Sequence, residues 1–301
     1  MPALTKSNVM MRTNLNLGIL TLLGCIGAFV IAPSLAAQQI PEAGKGKVKV
    51  ETRFYRAHAV FPAASFSTSR LPSKKTVTGS LTKIVGDYGL GGKWAFLYHL
   101  RFAYLDKSKK QASFTTFGLQ DQTIGIERGL RQGDGFSDAV DLKFVLPTGS
   151  TTSVPQLGTG HFAIEPDYEM GFTHHVGKRF VYGDVSIGPR IFTNSGVTQL
   201  QTSGELGGRF FRKINVFGTV FLARTLNGRT AVGQPGVPNA SEYYDLLRVG
   251  GGFEFAGWKS LRPMIAYQQG VAGQGIYAGS RLVFGFTVHF NRRPHFHRRV
   301  Y

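Results

Sequence analysis

Cysteine is almost missing from this chain: Cys25 is the only one in 301 residues. It lies in an N-terminal apolar stretch. The rest of the chain therefore has no disulfide framework, no thiol catalysis and no Cys-ligated metal. Acids are scarce too, with 17 Asp and Glu against 35 Lys and Arg, a formal net charge of +18. Beyond residue 37 no apolar run approaches the ~20 residues that a membrane-spanning helix needs. There is no heptad pattern and no solenoid period. Glycine is abundant, at 39 residues, and so are aromatics, with 24 Phe and 11 Tyr.

Residues 1–37 read as an export signal. Lys6 and Arg12 precede the apolar run LGILTLLGCIGAFVI (17–31), and Ala-Pro-Ser-Leu-Ala-Ala follows. A basic start, an apolar centre and small residues near Ala36 or Ala37 are the order of a cleavable leader. Leu22-Leu23-Gly24-Cys25 imitates a lipobox, but the apolar run continues past the cysteine. Residues 38–46 are a polar, Pro-containing lead-in, either a short periplasmic piece or unstructured.

From Arg281 to Phe290 the chain reads RLVFGFTVHF. Leu282, Phe284, Phe286, Val288 and Phe290 alternate with Arg281, Val283, Gly285, Thr287 and His289. Period two defines the faces of a β-strand. An aromatic face opposite a face with Arg and His suits lipid on one side and water on the other. About twelve such segments follow the lead-in, near 47–61, 84–96, 98–105, 114–130, 138–147, 158–175, 180–193, 199–212, 214–225, 243–256, 261–271 and 277–290. Connections alternate between tight (176–179, 212–213, 257–260) and long (62–83, 147–157, 226–242). The expected fold is all-β, a transmembrane antiparallel up-and-down barrel of about twelve strands over 47–290, with a basic tail over 291–301. Only a closed barrel or a helix satisfies every backbone group in lipid. The long connections are expected outside the cell and the tight ones in the periplasm, with the barrel in the outer membrane of a Gram-negative bacterium.

Charge falls opposite the apolar face. Val140, Leu142 and Phe144 oppose Asp141 and Lys143. Ile164, Tyr168 and Met170 oppose His161, Glu165, Asp167 and Glu169. Leu206 and Phe210 oppose Glu205 and Arg209, and Val249 and Phe253 oppose Arg248 and Glu254. The candidate lumen set is Arg53, Arg101, Asp141, Lys143, His161, Glu165, Asp167, Glu169, Arg190, Glu205, Arg209, Arg248, Glu254, Arg262 and Arg281. Glu51, Glu127, Asp184, Lys47 and Lys49 also point inward. These acids and bases nearly balance, so the cationic excess belongs at the rims. Lys74, Lys75, Lys107, Lys109, Lys110, Arg212, Lys213, Arg229, Arg292, Arg293, Arg298 and Arg299 would meet phosphorylated lipid headgroups there. A balanced lumen is either held shut by cross-lumen ion pairs or forms a path with separate acidic and basic patches.

Catalytic patterns are weak. No His-x-Ser occurs, and His161 and Glu165 stand about 13 Å apart along a strand, too far for a dyad. Glu165, Asp167 and Glu169 in a row resemble a cation site, but lumen arginines, Arg190 and Arg209 first, supply the countercharge more simply. No metal, other cofactor or enzyme activity is expected. His295 and His297 belong to a solvated basic tail. Gly86-Asp-Tyr-Gly-Leu-Gly-Gly-Lys-Trp94 lacks the Gly-Lys-Ser/Thr ending of a phosphate loop. An exported chain without a recognition module is not expected to bind nucleic acid.

The segments 86–94, FGLQDQTIGIER (117–128), KFVLPTG (143–149) and LGTG (157–160), in that order, carry a resemblance. The chain resembles the outer-membrane proteins grouped as the meta-pathway phenol degradation family, which are similar in architecture to the long-chain fatty-acid transporter superfamily. The resemblance runs over roughly 80–290. It implies an outer-membrane barrel passing hydrophobic or aromatic compounds, and carries over no binding residues. Barrels of this kind usually end on an aromatic residue, whereas this chain continues past Phe290. The expectation is therefore a non-enzymatic transporter or channel for small hydrophobic or aromatic solutes. The alternatives are an anion-selective channel for acidic solutes, or a structural or adhesive barrel closed by ion pairs. Expected partners are outer-membrane lipids including lipopolysaccharide, the barrel-assembly machinery and a small-molecule solute.

Overall fold

A computed structural model of the protein describes residues 40–62, 68–70, 76–109, 112–133, 135–177, 179–211, 213–227, 243–256 and 261–291. Residues 1–39, which include the expected leader, and residues 292–301 lie outside the described residues. The strands are β1 (Lys45–Phe61), β2 (Ser69–Arg70), β3 (Thr76–Gly91), β4 (Trp94–Lys109), β5 (Ala112–Leu119), β6 (Gln122–Gly133), β7 (Phe136–Leu146), β8 (Ala163–Val176), β9 (Arg179–Phe192), β10 (Thr198–Phe211), β11 (Ile214–Thr225), β12 (Asp245–Phe255), β13 (Leu261–Gln274) and β14 (Ile276–Asn291). No helix occurs among the described residues.

Neighbours in sequence pair antiparallel, and β14 returns to β1 with Lys45 opposite Asn291 and Phe61 opposite Ile276. The sheet is thus closed and has no free edge to solvate. β2 is a dipeptide beside β1. β5 and β6 both pair with β4 and act as one interrupted strand. The result is a closed twelve-stranded antiparallel barrel.

The outer face is apolar. Phe54, Phe102, Leu142, Leu206, Phe253, Ile265, Leu282, Phe284 and Phe286 are all exposed. Their in-between neighbours Arg101, Lys143, Val283 and Thr287 are buried, at 9% exposure or less. A soluble protein does not leave such a band in water. A band of outward aromatics around inward charge is the pattern of a lipid-spanning barrel.

Both ends of the barrel chain lie at one edge, here the terminal edge. There the strands turn within a few residues, at 92–93, 134–135, 177–178, 212–213 and 256–260. At the opposite, far edge lie the strand ends that the longer connections 62–75, 147–162 and 226–244 join, as well as a one-residue reversal at Gly275 (φ +67°).

Three boundaries differ most from the periodicity. The expected strand at 84–96 ends at Gly91, because Gly91, Gly92 and Lys93 all take positive φ and reverse the chain. Lys93 tolerates φ 65°, and its ammonium donates to the Leu130 carbonyl at 3.2 Å. β3 starts at Thr76, so the expected loop over 62–83 is shorter. Its outward residues Thr78, Ser80 and Thr82 are polar, which hides a strand in a search for apolar alternation. A spanning strand needs about 9–11 residues, and this polar end of the 16-residue β3 extends past that length. Finally, β8 begins at Ala163, and residues 158–162 belong to an inward-folded segment.

That segment, 147–162, is tied to the break between β5 and β6. Gln120 and Asp121 stand opposite Arg101, whose carbonyl accepts the Gln120 amide at 3.0 Å. Arg101 Nη1 donates to the Asp121 carbonyl at 2.7 Å and to Thr123 Oγ1 at 3.1 Å. Asp121 in turn holds Gly149 and Thr159. Leu157 is thereby packed against the inward Ala103 and Leu105. At the terminal edge, Ile40 packs on inward Ala95 and Ala139. Ile40 therefore covers part of that mouth.

Candidate functional site

The lumen has three kinds of surface. The far mouth is apolar. Phe61, Tyr244, Leu246 and Ile276 form one cluster and Val145, Ala163, Phe192 and Val197 another. Leu157 adds a third with Ala103 and Leu105. Below it the lumen is charged. A separate apolar wall, Phe217, Ala266 and Val283 with Met264 and Tyr182 against them, runs along one side.

The charged part comprises two adjoining cavities. One, of about 400 Å³, is lined by Asp87, Glu127, Asp141, Glu169, Asp184 and Glu205 against Lys47, Lys49 and Lys143. The other, of about 340 Å³, is lined by Arg53, Lys83, Arg101, Arg190, Arg248 and Arg281 against Glu51, Glu165 and Asp167, with Phe217, Phe221, Met264 and Val283 beside them. His99, Lys143 and Glu205 border both. A third hollow, about 470 Å³, lies on the outer face over Gly183, Gly204 and Gly218, between outward Met170, Val185 and Leu206.

Ion pairs organise the acidic cavity. Lys143 Nζ is 2.9 Å from Asp141, 2.8 Å from Asp167 and 3.3 Å from Glu169. Glu165, Asp167 and Glu169 were expected to meet Arg190 and Arg209 first. Arg190 does hold Glu165, but Asp167 and Glu169 go to Lys143, and Arg209 donates to Asn215 at 3.2 Å while stacking on Phe180. Asn215 passes the contact on to Glu254 at 2.8 Å, which lies 3.8 Å from Arg262. Glu205 accepts from Tyr182 at 3.0 Å. Arg53 and Lys49 bracket Glu51 at 2.5 and 2.7 Å, and Lys47 meets Asp87 at 2.9 Å.

Some cations are not matched. Arg248 lies over the Phe221 ring at 5.5 Å and is 9% exposed, and Arg281 is 7% exposed. Neither makes an ion pair or a hydrogen bond among the described residues, and Lys83 makes none. A buried guanidinium without a counter-ion is costly, so this cavity favours an anion.

His161 lies in the 147–162 segment, its amide donating to Thr159 Oγ1 at 3.3 Å. The structure brings it to neither charged cavity. Of the expected rim cations, Lys213 is exposed in a terminal-edge turn, while Lys107 lies over the Tyr277 ring at 5.9 Å. The Lys74, Lys75, Lys110, Arg212, Arg229 and tail positions lie outside the described residues. The sequence reading missed Lys83, Asp87 and His99, and missed the apolar wall. For Lys83 and Asp87 a signal existed: continuing the alternation of β3 backward and forward from Val85 places both inside.

No family model matches the chain and no curated relative does. Among solved structures, an outer membrane channel from Pseudomonas putida F1 superposes with a TM-score of 0.59, covering 85% of this chain and 100% of its own, at 12% identity. The translocator domain of the autotransporter NalP from Neisseria meningitidis reaches a TM-score of 0.46 at 13% identity, over 84% of this chain and 91% of that one. The TodX monoaromatic hydrocarbon channel reaches 0.43 at 11%, over 85% and 92%. The first establishes a shared fold. By architecture the chain is an outer-membrane β-barrel.

Proposed function

We propose that the barrel passes small solutes with an apolar body across the outer membrane, without catalysis, and that carboxylic acids among them are favoured. One observation carries this: Arg248 and Arg281 are buried without an acidic partner beside Phe217, Phe221 and Met264. A carboxylate on an aromatic or short aliphatic body matches both surfaces, since charge-assisted bonds hold the head and burial favours the rest. The resemblance over 86–94, 117–128, 143–149 and 157–160 supports the apolar side of the reading. Lipopolysaccharide and other outer-membrane lipids would cover the outward aromatic band, and the barrel-assembly machinery would insert the chain.

The rival is a closed structural barrel, favoured by the apolar far mouth and the inward 147–162 segment. Planar bilayers with a salt gradient separate the two. The channel reading expects conductance with a reversal potential on the anion side. Replacing Arg248 and Arg281 together by Gln should move that potential towards cations. Neither conductance nor benzoate flux into liposomes would leave the closed barrel.

A further inference from the structure

We propose that Glu127, Asp141 and Glu169 bind a hard divalent cation, Ca²⁺ or Mg²⁺, inside the acidic cavity. The register sets the problem. Glu127 on β6 stands opposite Asp141 on β7, and Asp141 stands opposite Asp167 on β8. Like charges directly opposite are destabilising. Lys143 answers part of it by gathering Asp141, Asp167 and Glu169.

Glu127 is what remains. It is 2% exposed, comes from another strand, and takes no hydrogen bond or ion pair among the described residues. Its carboxylate points into the group: one oxygen from each of Glu127, Asp141 and Glu169 lies within 4.8 Å of the others. A Ca²⁺–oxygen distance of about 2.4 Å spans oxygens up to about 4.8 Å apart. Asp141 also lacks directed donors. Lys143 lies near one of its oxygens, yet neither oxygen accepts a well-aligned hydrogen bond.

The donors are all carboxylate oxygens, with no His or Cys. Such sets suit Ca²⁺, Mg²⁺ or Mn²⁺ and disfavour softer metals. Binding would leave Lys143 on Asp167 and remove most of the cavity's negative charge. If the channel reading holds, the ion also sets selectivity; the binding itself does not depend on that reading.

The test uses the full chain refolded in detergent without lipopolysaccharide, so that bound metal belongs to the protein. After chelator treatment, calorimetric titration with Ca²⁺ should show saturable binding of one ion per barrel. E127Q should lose it, and E42Q, at an exposed carboxylate outside the lumen, should keep it. No saturable binding by the wild type at millimolar Ca²⁺, the range of weak extracellular sites, overturns the proposal, as does unchanged binding in E127Q. A second measurement needs no variant. The solution EPR signal of Mn²⁺ should fall by one equivalent per barrel and return when Ca²⁺ is added. A signal that stays unchanged also overturns the site.

Discussion

Asp121 holds Thr159 by two bonds at once: its Oδ2 accepts the Thr159 amide and the Thr159 hydroxyl, each at 2.8 Å. Its Oδ1 accepts the Gly149 amide at 3.0 Å. One carboxylate at the break of a barrel strand therefore folds 147–162 inward and places Leu157 inside the far mouth. Asp121→Ala should release the segment, lower stability by about 1.5–3 kcal/mol, the range for bonds to a charged group, and raise single-channel conductance. Gly158→Ala should act in the same direction, because a Cβ there would meet Asp121 Oδ1 at 2.3 Å and Gly149 Cα at 2.7 Å. Bilayer recordings with unchanged conductance in both variants would count against a constricting role.

The lipid face gives a second expectation. Phe286 is 40% exposed on the outer wall and Thr287 is 9% exposed on the inner one. Phe286→Arg should cost about 2–4 kcal/mol if it lies near the bilayer midplane. The lumen control is Thr287→Glu, since Thr287 stands opposite Lys49 and Arg262, and its cost should be much smaller. Refolding titrations into lipid vesicles measure both. Equal penalties would mean a register slipped by one residue, which exchanges the faces.

Glu165 and Arg190 form a buried pair, their side chains 10% and 8% exposed. Glu165→Gln alone should destabilise by about 3–5 kcal/mol, because it strands a buried guanidinium. Removing both charges with Arg190→Gln should recover part of the loss. A double-mutant cycle by denaturant unfolding reads the coupling, and additive losses would show that the pair is not a unit.

Orientation follows from the unequal edges. Asn194 is exposed at the far edge and Lys213 at the terminal edge. With the long segments outside the cell, Asn194→Cys should react with a membrane-impermeant maleimide on intact cells, and Lys213→Cys only after lysis. The reverse pattern would invert the barrel.

Much of the barrel was legible in the sequence because period two is local. Each strand declares its faces through its own residues, so Leu282, Phe284 and Phe286 against Arg281, Val283 and Thr287 need no partner to be sorted. The expected count of twelve strands and the parity of the connections follow from the same pattern and agree with the closed sheet. Local alternation fails where the outer face leaves the bilayer, as at Thr78 and Ser80, and where glycines reverse the chain, as at 91–92.

The sequence by itself thus determined the alternation of faces along most strands, and the tertiary structure alone decided whom the inward side chains meet. Contacts across a lumen depend on strand tilt and stagger, which no single strand encodes. That is why Arg209 lies beside Asn215 instead of the acid strip, why Lys143 gathers three carboxylates, and why Arg248 and Arg281 are left beside Phe221 and Met264. Closure also gave Leu157 and Ile40 their places. Both come from segments without periodicity, and each is fixed by an apolar hollow that exists only once the strands around it have joined.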